Sequence, residues 1–306
     1  MQYVFGPVKS RRLGLSLGVD LVPSKICSFD CLYCEVGRTT KLTCQRAPYI
    51  SKEIIISQLK EVLKQVKDLD VITLTGSGEP TLNTELTSLL EEIRRLTSKP
   101  LCLLTNSSLF FLREVREAVT GFDILLPSLD AASQEAFLAI NRPAPGLKIE
   151  SIIEGLVQLR REFRGQIWLE VLLASGINDS PQELTRLSEA LQAINPDKIQ
   201  INTVVRPPAD SRARPVAYQV LEEAQNIFGP RAEIIVAKNR VARARSHIPP
   251  EEAVMEFLRR RPADVQELAM ALGYSPGEVE KLIEALTTSG RLKAYPFSGR
   301  CFYRLS

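Results

Sequence analysis

The sequence predicts an α/β protein whose strands run parallel in one sheet, followed by a smaller C-terminal unit. Two observations support this prediction. Apolar runs of strand length alternate with amphipathic helical stretches, which favours a parallel sheet with right-handed crossovers. After about residue 248 the alternation ends and short helical patterns follow. The six strand–helix units are fewer than the eight of a closed barrel.

The elements of the sheet region follow from the spacing of their apolar residues. Runs rich in Val, Ile and Leu predict strands, and apolar residues that recur every three to four positions predict helices. The predicted strands are 15–21, 71–74, 101–104, 124–127, 167–173 and 198–203. The predicted helices are 52–66, 84–96, 112–118, 149–162, 181–194 and 218–227.

The C-terminal unit begins after 248–250, where two prolines block continuation of a helix and predict a linker. Helical patterns then cover 251–260, 265–272 and 276–289, and Gly290 is a plausible helix stop. Two strand-like runs, 291–295 and 300–305, flank a Pro-Phe-Ser-Gly turn. Three helices closed by a β-hairpin resemble a winged-helix domain, so we expect domains at 1–247 and 248–306.

Composition sets limits but does not identify a function. A hydrophobic fraction of 44% with 25% charged residues is ordinary for a globular protein of 306 residues. The net charge of +3 is too small to require a polyanionic partner. Six cysteines, with no signal-peptide pattern and no apolar run long enough to span a membrane, predict a cytoplasmic protein without disulfides.

The most specific motif is the cysteine triad Cys27, Cys31 and Cys34, within the run Lys-Ile-Cys-Ser-Phe-Asp-Cys-Leu-Tyr-Cys-Glu. Three thiolates on one short loop can hold three irons of a [4Fe–4S] cube and leave the fourth iron without a protein ligand. A structural zinc site is the alternative, but zinc usually takes two cysteine pairs or a pair plus histidines. Because the only histidine is His247 and Cys44 stands alone, the pattern favours iron and sulfide.

The spacing of the triad, with the aromatic Tyr33 just before the third cysteine, resembles the radical S-adenosylmethionine (SAM) superfamily. The resemblance implies an open (β/α)6 partial TIM barrel that binds a [4Fe–4S] cluster and SAM. It also implies one-electron reduction of SAM to methionine and a 5′-deoxyadenosyl radical, which abstracts hydrogen from a substrate. A one-electron donor such as flavodoxin or ferredoxin is then a partner. Whether the reaction is of oxidoreductase, lyase or transferase type stays open.

A glycine-rich motif follows the second predicted strand and resembles the SAM-binding motif of the superfamily. It consists of Gly76, Ser77, Gly78, Glu79 and Pro80. Glycines let the backbone approach a ligand closely, and a carboxylate can balance the cationic sulfonium and ammonium of SAM. A Gly-x-Gly alone indicates only a turn, but its place one strand after the triad makes this motif specific.

Polar residues at later strand ends are further candidates. The resemblance implies that Asn106, Ser128 and Asp130 meet the methionine or ribose groups of SAM, while ordinary helix capping is an equal alternative. Glu170 is a charged residue within an otherwise apolar predicted strand. Because side chains two positions apart in a strand point to the same face, Glu170 would share its face with Trp168 and Leu172. It either faces ribose or substrate in the barrel or is a paired structural carboxylate.

Basic residues near the predicted mouth of the barrel indicate an anionic substrate. Arg206 follows the sixth strand, and we favour a substrate-binding or catalytic role for it because a guanidinium is a bidentate anion ligand. The alternative is a solvated basic face, as most such runs are. The other basic candidates, with the histidine, are Arg11, Arg12, Arg38, Arg212, Arg214, Lys238, Arg240, Arg243, Arg245 and His247.

Residues 6–23, ahead of the triad, resemble the superfamily branch that contains the tRNA wyosine-base synthases and their bacterial relatives. A wyosine synthase carries a second cluster on upstream cysteines, and this chain has no cysteine before Cys27.

The third helix predicted in the C-terminal unit is acidic. It carries Glu278, Glu280 and Glu284 and only one basic residue, Lys281, so its insertion into a DNA groove is disfavoured.

Three functions are compatible with these features. The first is a radical SAM enzyme that acts on an anionic substrate, with tRNA as the leading candidate. The second is a radical SAM enzyme that acts on a peptide, a protein or a small metabolite. The third is a non-catalytic iron–sulfur regulator, against which the motif at 76–80 argues.

Overall fold

A computed structural model of the chain describes residues 2–10, 12–66, 68–235 and 249–306. The strands are β1 (Val4–Ser10), β2 (Gly14–Asp20), β3 (Ile26–Cys27), β4 (Lys41–Leu42), β5 (Val71–Thr75), β6 (Leu101–Thr105), β7 (Ile124–Pro127), β8 (Gln166–Leu173), β9 (Lys198–Thr203), β10 (Ala232–Ile234), β11 (Leu292–Phe297) and β12 (Arg300–Leu305). The helices are α1 (Lys52–Gln65), α2 (Leu86–Leu96), α3 (Arg113–Ala118), α4 (Gln134–Ile140), α5 (Ile149–Glu162), α6 (Pro181–Ile194), α7 (Tyr218–Phe228), α8 (Pro250–Arg260), α9 (Val265–Leu272) and α10 (Pro276–Thr288).

The main sheet of the described chain has eight strands in the order β1-β2-β5-β6-β7-β8-β9-β10. Only β1 pairs antiparallel, with β2, and every other pair in this sheet is parallel. The prediction of an α/β fold with a mostly parallel sheet is confirmed. Because the parallel strands share one carboxyl edge, the loops that follow them meet at the same side of the molecule.

The two faces of the sheet differ in polarity. Alternate residues of β8, including Leu169 and Val171, are fully buried on the outer face beneath the helices. Helices such as α5 cover this face with a stripe of buried apolar residues spaced three or four positions apart. The inner face carries polar pairs, among them the Ser16 and Thr73 hydroxyls, which lie 2.6 Å apart. A site on this face of the sheet therefore has polar side chains in its lining.

Five of the strands and helices in the described chain were not predicted from the sequence: β1, β10, α4 and the two-residue strands β3 and β4. Strand β1 was missed because its Gly6 and Pro7 resemble a turn. The strand lies at the edge of the sheet and its pairing with β2 shifts register between Phe5 and Val8, and proline is tolerated at such a place. Strand β10 has three residues, too few to show an alternating pattern. Helix α4 is a short element capped by Ser133. The triad accordingly follows the second strand of the chain, not the first.

Residues 249–306, here called the C-terminal module, contain α8, α9, α10 and the hairpin β11–β12, close to the predicted bounds. The module has its own apolar core, built around Val254, Leu268 and Ile283, and Val8 of β1 packs against it.

None of the helices that the structure describes is long and apolar enough to span a bilayer. Arg11 and the basic run 238–247 lie outside the described residues.

Candidate active site

The loop that carries the three cysteines lies at the carboxyl edge of the sheet, directly after β2. Two neighbouring segments fix its backbone. The Lys25 N–H donates to the Ser77 carbonyl at 2.8 Å, and the Glu79 N–H donates to the Ile26 carbonyl at 3.1 Å. Farther along, the Leu32 N–H donates to the carbonyl of Ile140 at 2.9 Å. The loop is therefore held between the glycine-rich segment and the end of α4.

The sulfur of each of the three loop cysteines accepts at least one hydrogen bond, and the donors come from several parts of the chain. Lys25 Nζ donates to Cys34 Sγ at 3.1 Å, and Asn141 Nδ2 donates to Cys31 Sγ at 3.4 Å. Cys27 Sγ accepts from the amide of Asn106 and from the Phe29 N–H, both at 3.5 Å. Donors aimed at sulfur stabilise thiolates more than thiols, because bonds to a charged acceptor are stronger.

Burial raises the pKa of the Cys27 thiol to about 12, and burial raises that of Cys31 well above its ordinary value. These sulfurs need a nearby positive charge to be thiolates at neutral pH, and bound iron supplies one. Three soft ligands with directed N–H donors fit an iron–sulfur cube. No three His, Cys, Asp or Glu side chains converge on a single metal ion within the described residues. A cube binds each thiolate through a separate iron, so its sulfurs do not converge on one point.

The glycine-rich segment after β5 packs directly on the cysteine loop. A Cβ added to Gly78 would lie 1.9 Å from the Ile26 carbonyl oxygen, so only glycine fits there. Glu79 is buried and accepts from Thr81, from the Thr105 hydroxyl at 2.6 Å and from the Asn106 N–H at 2.7 Å. Burial raises the pKa of Glu79, although these hydrogen bonds oppose the shift. Pro80 opens a short 3-10 turn.

Asp130 follows β7 and is buried, with both carboxylate oxygens engaged. One accepts from the Leu172 N–H at 3.0 Å; the other accepts from Tyr33 at 2.5 Å and from Asn141 at 2.8 Å. Burial raises the pKa of Asp130 to about 6, against these hydrogen bonds. Asn141 thus joins the sulfur of one cysteine to this carboxylate. Ser128 lies beside them, partly buried, in a small depression that Asn106 and Asp130 also line.

Glu170 carries an ion pair on the inner face of the sheet. Its carboxylate accepts from Arg12 at 2.7 Å and from the Asn202 amide at 2.9 Å. The Arg12 side chain is 16% exposed and that of Glu170 is 19% exposed, so the pair is shielded from bulk water. Of the two roles considered from the sequence, the contacts show the paired carboxylate, and the role toward ribose or substrate stays a prediction.

Arg206 lies just beyond β9 and is buried between two carboxylates. It donates to Glu35, the residue after Cys34, at 2.6 Å, and to Glu267 of α9 through two nitrogens, one of them at 3.0 Å. Burial alone would lower the pKa of the guanidinium, but Glu35 and Glu267 raise it above its ordinary value. The sequence predicts a substrate-binding or catalytic role for Arg206, and its guanidinium already binds two carboxylates in the structure.

A cavity of about 500 Å³ lies between the inner face of the sheet and the C-terminal module. Its walls include Ser16 and Thr73 from the sheet, Gly76 and Ser77 from the glycine-rich segment, and Met270 from α9. Basic side chains outnumber acidic ones in the lining. The basic ones are Lys9, Arg12, Arg206, Arg260, Arg261 and Arg300, and the acidic ones are Asp20, Glu35, Glu256 and Glu267.

The remaining candidates lie elsewhere. Arg38 and Arg212 are exposed and are not among the described residues that line the cavity, and neither is Arg214. Cys102 is buried in β6, and burial raises the pKa of its thiol. Cys44 is partly exposed and Cys301 is exposed on the hairpin. The site is therefore made by the three loop cysteines and the strand ends around them.

The fold and this site are typical of one class of protein: an α/β fold with a mostly parallel sheet, which has a three-cysteine loop and a glycine-rich segment at its carboxyl edge. The sequence profile of the radical SAM superfamily matches residues 21–188, and the chain belongs to that superfamily. The protein is therefore a radical SAM enzyme. Enzymes of this superfamily bind a [4Fe–4S] cluster and SAM, and they require an electron donor and a substrate.

Several curated proteins are similar over most of the chain. A UPF0026 protein of Methanocaldococcus jannaschii is 33% identical over 79% of this chain and 74% of its own length. A UPF0026 protein of Helicobacter pylori is 33% identical over 88% of this chain and 87% of its own. A protein of Brachyspira hyodysenteriae named GTPase Obg is 35% identical over 99% of this chain, which spans only 45% of that protein.

Among solved structures, a radical SAM methyltransferase from Sphaerobacter thermophilus has a similar fold. The TM-score is 0.55 and the sequence identity is 18%, over 72% of this chain and 66% of that one. At this identity the likeness concerns the fold alone, and it agrees with the predicted partial barrel.

Proposed function

We propose that this enzyme abstracts hydrogen from a small anionic molecule held in the cavity between the barrel and the C-terminal module. The observation that supports this proposal is the cavity itself, whose volume of about 500 Å³ suits a small ligand. Its lining reaches Glu35 beside the cysteine loop and Gly76 and Ser77 of the glycine-rich segment. The guanidinium groups in the lining can donate hydrogen bonds to a negatively charged substrate, and two of them, Arg12 and Arg300, are also paired with Glu170 and Asp264.

The proposed cluster ligands are Cys27, Cys31 and Cys34. A [4Fe–4S] cluster on three thiolates supplies the electron that cleaves SAM to methionine and a 5′-deoxyadenosyl radical. Lys25 and Asn141 hold and polarise the ligand sulfurs by donating to them. The module covers the cavity and limits the access of water to it.

The proposed SAM-binding residues are Tyr33, Gly76, Ser77, Gly78, Glu79, Pro80, Asn106, Ser128 and Asp130. Gly76 and Ser77 would meet SAM through their backbone, which the close packing at Gly78 holds in place. Glu79, Tyr33 and Asp130 have most of their polar atoms engaged within the protein. We therefore assign these three mainly to positioning of the segments that contact SAM.

Arg206 and Glu170 are proposed as positioning residues next to the reacting groups. Arg206 holds Glu35 beside the third cysteine, and Glu170 orients Arg12, whose guanidinium lines the cavity. Through the guanidinium of Arg12, whose charge Glu170 balances, this pair can donate hydrogen bonds to an anionic substrate. Both assignments follow from the contacts of these side chains, which the sequence could not supply.

Anaerobic reconstitution with iron and sulfide, followed by a 5′-deoxyadenosine assay with dithionite and SAM, tests the proposal. We expect the wild-type protein to bind close to four irons per chain and to form 5′-deoxyadenosine. We expect Cys31→Ala to lose both properties and Cys44→Ala, a cysteine outside the triad, to retain them. A Cys31→Ala variant with its cluster and cleavage activity intact would refute the assignment.

RNA is the second candidate substrate. A protein of Oleidesulfovibrio alaskensis named dual-specificity RNA methyltransferase RlmN is 25% identical over 71% of this chain. The exposed face of the hairpin also carries Lys293 and Arg304. Binding of tRNA with a steep salt dependence would favour this candidate over a small molecule.

We also propose that residues 248–306 are a winged-helix-like domain that presents or covers the substrate. The order of three helices and a hairpin and the separate apolar core support this proposal. Basic and acidic residues are equal in number from 249 to 306, which argues against a role in sequence-specific DNA binding.

A further inference from the structure

Asp20 is a buried carboxylate at the end of β2, and none of the roles proposed above uses it. Its side chain is 11% exposed and lines the cavity. In the parallel pairing of β2 with β5, Asp20 lies opposite Thr75. The Asp20 N–H donates to the Tyr3 carbonyl at 2.8 Å, and the N–H of the next residue, Leu21, donates to the Thr75 carbonyl at 3.1 Å. The sheet therefore holds Asp20 directly beside the start of the glycine-rich segment.

The carboxylate of Asp20 has one partner in the C-terminal module and another in the glycine-rich segment. Arg260, the last residue of α8, donates to it through Nε at 3.2 Å. The backbone N–H of Ser77 also donates to it. Burial raises the pKa of Asp20, and the bonds from Arg260 and Ser77 oppose this rise, so both partners favour the ionised carboxylate. A single side chain of the sheet thus connects the module to the glycine-rich segment.

Arg260 has a well-defined position because most of its guanidinium is engaged. It donates to the Gln2 carbonyl at 3.2 Å and lies over the ring of Phe5, 3.9 Å from the ring centre. Within α8 it donates to the Glu256 carboxylate at 2.5 Å. The side chain is 15% exposed. A displacement of α8 from the barrel would therefore break the bond between Arg260 and Asp20.

The backbone of the glycine-rich segment depends on such individual contacts, because residues 76–79 belong to neither a helix nor a strand. The Ser77 carbonyl accepts from the Lys25 N–H at 2.8 Å, and the Ser77 N–H binds Asp20 on the other side of the peptide. Gly76 and Ser77 line the cavity. Loss of the bond to Asp20 would allow this backbone to leave the geometry that it presents to the cavity.

We propose that Asp20 is a positioning residue through which the C-terminal module orders the SAM-binding backbone at Gly76 and Ser77. The proposal rests on the proposed function for the binding of SAM at this segment. The module then raises the affinity for SAM without contacting it, through the bond between Arg260 and Asp20. Because such coupling is reciprocal, bound SAM also strengthens the attachment of the module to the barrel.

Amide hydrogen exchange of the purified full chain tests the connection without a cluster or SAM. The variants are Asp20→Asn, which keeps the shape of the side chain and removes its charge, and Arg260→Gln. We expect each to speed the exchange of residues 74–80 at least about fivefold and to leave the exchange of α5 unchanged. Arg259→Gln is the matched control, since Arg259 also pairs with Glu256 but is 64% exposed, and it should exchange like the wild type. Wild-type exchange of residues 74–80 in both test variants would overturn the proposal.

Equilibrium dialysis of the reconstituted enzyme with labelled SAM tests the effect on SAM binding. We expect Asp20→Asn to raise the Kd about tenfold and Arg260→Gln to raise it by a smaller factor. The double variant should bind SAM no more weakly than Asp20→Asn, because both changes break the same connection. The iron content should equal that of the wild type. In 5′-deoxyadenosine formation the KM for SAM should rise, while kcat changes less than about twofold.

A pair that only attaches the module to the barrel would lower the thermal stability of both variants without changing their affinity for SAM. Unchanged SAM affinity in Asp20→Asn and Arg260→Gln therefore overturns the proposal, even if both proteins unfold at a lower temperature. Failure of the wild type to bind SAM, together with faster exchange of residues 74–80 in the two variants, would refute the proposed function and leave the connection between the module and the glycine-rich segment established.

Discussion

Lys25 places a buried cation next to the cysteine loop. Its ammonium donates to Cys34 Sγ at 3.1 Å, and the residue is 8% exposed. Its backbone has a φ of 64°, an uncommon conformation for a residue with a side chain. A buried cation at this distance stabilises negative charge on the sulfur ligand, and it stabilises the reduced cluster more than the oxidised one.

Replacement of Lys25 by Met is expected to lower the reduction potential of the cluster by about 60 mV, the equivalent of ~1.4 kcal/mol for a one-electron couple. The reason is the loss of the buried positive charge from a cluster that gains an electron. A potentiometric titration followed by electron paramagnetic resonance measures the shift. Lys25→Arg, which keeps the charge, should restore most of it. An unchanged potential in Lys25→Met would show that the ammonium does not influence the cluster.

At the scale of the element, the loops after β2 and β5 behave as one unit. The Gly78 position is in contact with the Ile26 carbonyl, and the N–H of Glu79 binds the same oxygen. The position of Cys27, the next residue, therefore depends on the glycine-rich segment. This coupling fixes the position of the glycine-rich segment relative to Cys27, the first of the proposed cluster ligands.

We expect Gly78→Ala to displace the Ile26 carbonyl and to reduce the iron content of the reconstituted protein severalfold. The added methyl group would lie 1.9 Å from a backbone oxygen, so the backbone must move; overpacking of this kind costs about 1 to 3 kcal/mol. Iron and sulfide analysis together with thermal unfolding measures the effect. Gly277→Ala in α10, where a methyl group meets nothing within 4 Å, is the control. If both variants bind equal amounts of iron, the two loops are independent.

The elements themselves could largely be predicted from the sequence, because strand and helix periodicity is local. All six strands predicted for the sheet are present within about one residue of their predicted bounds. The cysteine triad and the glycine-rich motif are local patterns as well. The sulfur donor Asn141 is not, since it lies 110 positions from Cys31 and meets it only through the packing of α4. Arg206 illustrates the same limit: the sequence shows a guanidinium near a strand end, but its partner Glu267 is 61 positions away.

At the scale of the whole molecule, two arginine-centred networks join the C-terminal module to the barrel. In one, Arg206 connects Glu35 to Glu267, which Arg261 also contacts at 3.1 Å. In the other, Arg260 connects Asp20 at the end of β2 to Glu256 of α8. Only the first network reaches the cysteine loop. The module therefore covers the cavity and also contacts the residue beside Cys34.

The Glu267→Gln variant tests this coupling. The substitution removes the charge that Arg206 and Arg261 share, and we expect a loss of about 2 kcal/mol in the free energy of unfolding. Because Arg206 also holds Glu35, we further expect the cluster to lose its visible absorbance severalfold faster on exposure to air. The matched control is Glu256→Gln, which weakens the second network without contact with the cysteine loop. It should lower stability to a similar extent and leave the lifetime of the cluster unchanged, whereas equal lifetimes in the two variants would show that the module acts on the barrel only as a cover.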